Sequence, residues 1–265
     1  MSTERTVVTI RERQAMFRVL QVDLSYFFRT KWLIGTLVAL NISDMLVAGL
    51  VYTNMMSINY FYFFVPGVIV SGMFAAALDV GRRVNLGLNE GVTQYYLSLP
   101  VSLNGLSFAH IVSAGLGGTI YGSILLGVAV IFVPKLASPI TLAIVPLFFI
   151  VSMGLGGIAA ILNLVSKGGD RYWVFAQGVQ MILLGMSTVF YPISEIGAFF
   201  PSLVTNAISL NPLSQVAGTL RSVANSEPIS LTGFGLVFAT SIILFLVGMI
   251  CYRYVFQKVW EVGKF

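Results

Sequence analysis

The chain has 265 residues, of which 57% are hydrophobic and 9% are charged, and its mean hydropathy is +0.90. A soluble domain carries roughly 25% charged residues, so this composition excludes an ordinary soluble fold and indicates that the protein is embedded in lipid. The net charge of +5 does not indicate a nucleic-acid partner, because no basic surface domain exists to carry it.

Six membrane-spanning helices are predicted, because uncharged runs long enough to cross a bilayer recur along the chain. The alternating pattern of an outer-membrane barrel is absent, so the predicted fold class is an all-α integral membrane protein. The predicted spans are residues 32–53, 60–80, 106–133, 140–165, 172–193 and 231–256.

The distribution of cations predicts the orientation of these spans. Thirteen of the fifteen Lys and Arg residues lie before the first span, near the C-terminal end of the chain, or in the connections that follow the second and fourth spans. Only Lys135 and Arg221 fall on the other side. The positive-inside rule therefore predicts a multi-pass plasma-membrane protein whose N- and C-termini are both cytoplasmic.

Residues 1–31 are predicted to form a cytoplasmic amphipathic helix that lies in the headgroup plane, ahead of a membrane domain of residues 32–265. Bulky apolar residues recur at a spacing of three to four, and polar residues fall largely on the opposite side. A plain surface anchor with no mechanical role is the alternative. The apolar residues are Phe17, Leu20, Leu24, Phe27 and Phe28, and the polar ones are Arg11, Arg18, Ser25 and Arg29.

Asp44 lies within the first predicted span, about 15–20 Å along it at 1.5 Å per residue. A carboxylate near the middle of a bilayer is costly and usually faces protein or water. Asn41 and Ser43 lie beside Asp44. Asp44 either lines a polar pathway or acts as a proton site, or it forms a hydrogen bond with a neighbouring helix.

A short cytoplasmic helix is predicted at about residues 90–99, after the second span. Asn89 is expected to cap a helix that begins at Glu90, and Pro100 ends it. A loop without a core of its own has no need of an aromatic face, so this face predicts a partner groove. An interfacial helix anchored by tyrosines is the alternative. The face consists of Val92, Tyr95, Tyr96 and Leu99.

No catalytic or metal-binding residue is predicted. The sequence contains no GxxxxGK[ST] phosphate loop, no HExxH or CxxC motif and no Ser/His/Asp set. His110 is expected to be a hydrogen-bonded structural residue, and Cys251 a small packing residue.

Residues 190–213 are nearly as apolar as a span but carry Pro192, Pro201 and Pro212. Ser194 is expected to cap a short helix with Glu195 in its first turn. The segment therefore predicts an extracellular re-entrant helical hairpin, at about residues 194–222, at the mouth of a pathway. A purely structural plug is the alternative.

Two motifs carry a resemblance that extends over essentially the whole chain. GVTQYYLSLPVS (91–102) resembles the coupling helix of the permease subunits of type-2 ABC exporters. FYPISEI (190–196), followed by LNPLSQVAGTLR (210–221), resembles the extracellular re-entrant hairpin of that family. The family exports drugs, polysaccharides and lipid-linked glycans.

The resemblance implies a non-catalytic subunit that forms a homo- or heterodimer, with the first and fifth spans at the seam. Separate cassette ATPase subunits would bind ATP and Mg, and this chain would hold no cofactor. The cargo would be amphipathic, drug-like or lipid-linked. The implied ATPase-contact residues are Glu90, Thr93, Gln94, Tyr95, Leu99 and Pro100, and the implied pathway or gate residues are Asp44, Tyr191, Pro192, Glu195, Asn211 and Pro212.

Two other functions compete with this one. The first is a stand-alone ion-coupled carrier or channel that uses Asp44. The second is an intramembrane enzyme, which the missing catalytic set disfavours.

Overall fold

The computed structural model describes residues 2–29, 31–53, 60–167, 171–194 and 199–262. The described residues form helices joined by short turns and include no strand, which confirms the all-α prediction. A 3₁₀ helix (Pro134–Ala137) joins the fifth helix to the sixth. The helices are α1 (Ser2–Arg29), α2 (Lys31–Thr53), α3 (Tyr60–Asn89), α4 (Val92–Ser98), α5 (Leu103–Phe132), α6 (Pro139–Ser166), α7 (Arg171–Gly185), α8 (Ser202–Leu210), α9 (Pro212–Asn225) and α10 (Leu231–Val262).

Four of the described helices, α3, α5, α6 and α10, are long and apolar enough to cross a membrane. They correspond to the second, third, fourth and sixth predicted spans. In α2, the apolar part within the described residues is the shorter stretch Ile34–Val47.

Helix α7 is shorter than the predicted span 172–193. Its fifteen residues cover about 22 Å. The chain then leaves the helix because the Ser187 hydroxyl donates to the Leu184 carbonyl (2.6 Å) and accepts from the Val189 amide (3.2 Å). We call the non-helical residues 186–192 the bent segment.

The core is built around α6, which packs between α5 and α10, while α3 packs on α5 and α6. Glycines allow the closest approach between neighbouring helices. A Cβ added to Gly157 would overlap the Leu244 carbonyl, and one added to Gly248 would overlap Gly157 itself. Backbones can approach this closely only where side chains are absent, and the same holds where Gly118 on α5 meets Ser152 on α6.

Helix α1 lies along α5 through Ala15, Val19 and Asp23, which are buried at intervals of one helical turn. This face differs from the predicted apolar face. Phe17 is 66% exposed and Leu20 is half-buried, because the contact with α5 is made by smaller residues that let the two helices lie close together. The side chains of Phe27 and Phe28 lie outside the described part of the structure.

Helix α3 is about 45 Å long and connects two differently built ends of the molecule. We call the end at which α4 follows α3 the α4 end. We call the opposite end the hairpin end, after the hairpin predicted at residues 194–222. There α3 begins beside the bent segment, and the Tyr60 hydroxyl donates to the Phe190 carbonyl (2.6 Å). Helix α8 begins after Pro201, and α9 begins at Pro212.

Candidate functional site

Helix α4 is a separate short helix, as the sequence predicted, but it begins later than expected. Asn89 is the last residue of α3 rather than a cap, and the chain reverses at Gly91, whose φ of 76° favours glycine. Leu99 is extended before Pro100, so the proline ends the helix as predicted. Ser102 then caps α5 by accepting from the Gly105 amide (3.1 Å).

The two faces of α4 differ in exposure. Tyr96 and Leu97 pack inwards, whereas Tyr95 is 64% exposed and Val92 is 40% exposed. The predicted aromatic face is therefore divided, since Tyr96 belongs to the inner side. An exposed Tyr–Val surface remains, which we call the α4 patch.

The implied ATPase-contact residues are distributed over both sides of α4. Glu90, Gln94, Tyr95 and Pro100 are exposed. Leu99 is half-buried against the cluster beneath α4. Thr93 is only 3% exposed, so direct contact between Thr93 and a partner does not fit this structure, because its side chain faces α3 beside Gly87.

A buried polar pair supports α4 from below. His110 Nδ1 on α5 lies 2.8 Å from Asp23 Oδ2 on α1, and both residues are buried. The Tyr96 ring packs edge-on against the His110 ring, with 5.8 Å between centroids. Arg83 on α3 donates to the Asp23 carbonyl. This arrangement, which we call the Asp23–His110 pair, joins α1, α3, α4 and α5.

The geometry of His110 agrees with the expected structural, hydrogen-bonded histidine. Burial, together with the nearby Asp23 carboxylate, raises the pKa of Tyr96 to about 12, so Tyr96 stays neutral at physiological pH. Sequence reasoning missed Asp23. The available signal in the sequence was its spacing, because Asp23 follows Ala15 and Val19 at intervals of four residues and so lies on the same helix face.

The bent segment is held by polar side chains that bond its backbone. Asn211 donates to the carbonyls of Leu183 (2.9 Å) and Met186 (2.8 Å), and its Oδ1 accepts from the Leu213 amide. Ser214 Oγ accepts from the Thr188 amide (2.9 Å). Asn211 therefore caps α9 and ties it to the end of α7, which gives this predicted gate residue a structural task.

Arg221 on α9 completes this arrangement, and its role was missed by the sequence reasoning. It is 8% exposed and donates to the carbonyls of Phe63 (3.0 Å) and Val189 (2.6 Å). Its guanidinium lies 3.5 Å from the centre of the Phe63 ring. We call Tyr60, Asn211, Ser214 and Arg221, with the backbone that they bond, the hairpin clamp.

The other predicted gate residues lie beside the clamp or outside it. Tyr191 is 54% exposed, and Pro192 and Pro212 are half-buried. Glu195 lies outside the described residues. Asp44 is exposed on α2 and makes no hydrogen bond or ion pair with any described residue.

A cavity of about 400 Å³ lies among α2, α3, α5 and α7. None of the residues predicted for ATPase contact, pathway or gate lines it, although Asn41, three residues before Asp44, does. Within the described ranges, no three His, Cys, Asp or Glu side chains come together as a metal site would need.

No protein-family model matches this sequence, and the comparison with curated proteins gives no match.

Proposed function

We propose that this chain is the membrane-spanning permease subunit of an ATP-binding cassette exporter. In this proposal it crosses the plasma membrane six times with both termini in the cytoplasm. It pairs with a second permease chain and is driven by separate ATPase subunits that hold ATP and Mg. The α4 patch is the observation that carries this proposal.

The α4 patch has the form of a docking surface. Exposed Tyr and Val side chains lie on a seven-residue helix whose opposite face is firmly packed. Tyrosines anchored in a partner's groove are frequent energetic centres of protein interfaces. A loop helix that served only to connect α3 to α5 would gain nothing from an outward-facing Tyr95.

The packing beneath α4 supports a mechanical role. A partner that pushes on Tyr95 also displaces Tyr96, the next residue, and Tyr96 rests on His110. The His110 ring also packs against Tyr252 and Phe256 of α10, with centroids 6.1 Å and 5.7 Å away. Because close-packed side chains transmit displacement, movement of α4 would reach α1, α5 and α10 together.

The exposed Asp44 supports a second permease chain. A carboxylate that faced lipid near the bilayer middle would be strongly unfavourable. A partner chain that covers α2 removes this exposure, in agreement with a seam formed by the first and fifth spans.

The hairpin clamp supports an outer gate at the extracellular side. Its non-helical backbone is satisfied by side chains, as is required wherever such backbone lies at membrane depth. Tyr191, Pro192 and Glu195 would then border the exit, while Asn211 and Pro212 hold the hairpin in place.

The test is capture of the native complex from membranes with the tagged chain, followed by native mass spectrometry to count subunits. We expect two permease chains and two cassette ATPases. The Tyr95→Ala variant should capture at least tenfold less ATPase. Tyr191→Ala is the matched control, because Tyr191 is similarly exposed at the other end of α3, and it should capture the wild-type amount.

Two results would overturn this proposal. The first is equal capture of ATPase by Tyr95→Ala and wild type. The second is solute transport by the purified chain in liposomes with a proton gradient and no ATPase, lost in Asp44→Asn, which would establish the ion-coupled carrier instead.

A further inference from the structure

The cavity among α2, α3, α5 and α7 has a chemical character of its own. It extends along α3 from Gly72 to Arg82, about 15 Å. Its volume of about 400 Å³ is in the range of sites for small organic molecules. Part of its wall is polar, although α7 is an otherwise largely apolar helix.

The polar wall includes two glutamines whose amides are available. Gln177 and Gln180 are one helical turn apart on α7, both line the cavity, and neither makes a hydrogen bond with another described residue. Asn41 differs, because its amide nitrogen already donates to the Leu37 carbonyl (2.8 Å) and the Tyr121 hydroxyl (3.0 Å). Amides without partners in apolar surroundings are costly, so Gln177 and Gln180 favour an occupant that hydrogen-bonds.

The ionic groups of the cavity cancel. Asp79 accepts from Arg82 (2.8 Å), and no other Asp, Glu, Lys, Arg or His lines the cavity among the described residues. Asp79 also accepts from Arg83 (3.2 Å), which does not line the cavity and donates to the Asp23 carbonyl on α1. A charged ligand would lose its hydration without meeting an unmatched opposite charge. The cavity therefore favours a ligand with no net charge.

The remaining wall suits a flat ring. Trp173 supplies aromatic surface, since it is 56% exposed, whereas Tyr121 and Tyr172 border the cavity but are buried. The hydroxyl of Tyr172 is already bonded to the Leu78 carbonyl (3.0 Å). On the facing side of the cavity, α3 contributes the small side chains of Ala75 and Ala76, which leave room for a ring. Aromatic side chains prefer offset-stacked or edge-on contacts with other rings.

We propose that this cavity binds an uncharged, flat aromatic molecule that carries an amide, carbonyl or hydroxyl group for Gln177 and Gln180. That such a molecule is the exported cargo rests on the proposed function. Binding itself requires only this chain.

The test uses three probes with the same three-ring skeleton and different charges. They are anthracene-2-carboxamide, anthracene-2-carboxylate and an anthracene that carries a trimethylammonium group. The full-length chain is purified in detergent, and energy transfer from Trp173 to the anthracene reports binding. Trp173→Phe identifies the signal that arises at this site. We expect the carboxamide to bind at least tenfold more tightly than either charged probe.

The variants separate binding in the cavity from partition into the micelle. Gln177→Leu and Gln180→Leu should each weaken carboxamide binding about tenfold, as the loss of one hydrogen bond inside a site does. Ala75→Phe should occlude the cavity and abolish binding. Met181→Leu, an exposed position on the same helix, is the control and should bind like wild type.

The inference is overturned if a charged probe binds as tightly as the carboxamide, or if both glutamine variants elute as monodisperse protein and bind it unchanged. The two proposals fail separately. Probe binding without ATPase capture would support the ligand site in the cavity and contradict the exporter proposal. ATPase capture without probe binding would support the exporter proposal and contradict the ligand site.

Discussion

The two ends of α3 use their polar and aromatic side chains in opposite ways. At the hairpin end, Tyr60, Asn211 and Arg221 bond the backbone of neighbouring segments. At the α4 end, Tyr95 and Gln94 point outwards from a helix that is already held by Tyr96 and Leu97. The hairpin end is therefore completed by this chain itself, whereas the α4 end leaves side chains exposed, and the proposed function assigns that surface to a partner.

This contrast has a thermodynamic consequence. Side chains that satisfy buried carbonyls contribute to the stability of the chain, because each carbonyl left without a donor carries a desolvation penalty. Exposed side chains contribute little until a partner covers them. Substitutions at the two ends should therefore separate into those that destabilise the chain and those that disable only an interaction.

Among the substitutions that remove a polar contact, the largest loss of stability is expected at the hairpin clamp. Arg221→Met keeps a long side chain but leaves the carbonyls of Phe63 and Val189 without their donor. We expect a loss of about 3 kcal/mol in the free energy of unfolding. Unfolding by SDS in mixed micelles measures it. Arg171→Met, at an exposed arginine, is the control and should change stability by less than about 0.5 kcal/mol. Equal stability of the two variants would show that the clamp is not stabilising.

An intermediate effect is expected at the Asp23–His110 pair. Asp23→Ala and His110→Ala each remove one partner of a buried contact, so each should destabilise. The double variant should lose less than the sum of the single losses. A coupling energy of about 1–2 kcal/mol from the double-mutant cycle, with the same unfolding measurement, is the expected outcome. Strict additivity would mean that the two side chains do not interact.

The sequence predicted the elements whose cause is local. Continuous apolar runs indicated the long helices α3, α5, α6 and α10, and Pro100 marked where α4 ends. The early end of α7 could not be predicted in this way, because residues 186–192 are as apolar as a helix. Its cause is the pair of hydrogen bonds of Ser187 and the distant groups of the hairpin clamp.

In the candidate site, too, the sequence predicted the local features but not those that depend on distant contacts. Helical spacing identified α4 and its aromatic residues, but not which of Tyr95 and Tyr96 faces inwards, since the answer depends on the position of His110. Asp23 and Arg221 gain their roles only from contacts with segments 87 and 158 residues away. The sequence did not predict Gln177 and Gln180 as site residues, because two single glutamines one helical turn apart form no recognisable motif.

The smallest effect on stability is expected at the α4 patch. A small effect there would show that Tyr95 is not needed for the chain's own packing. Tyr95→Ala removes a side chain that is 64% exposed and that lies on the outer side of α4. The free energy of unfolding should therefore change by less than about 0.5 kcal/mol. Tyr96→Ala, the adjacent tyrosine on the inner side, should lose about 3 kcal/mol, because it leaves a cavity above His110. If Tyr95→Ala destabilised the isolated chain as much as Tyr96→Ala does, Tyr95 would be part of the chain's own packing, and the α4 end would have no surface reserved for a partner.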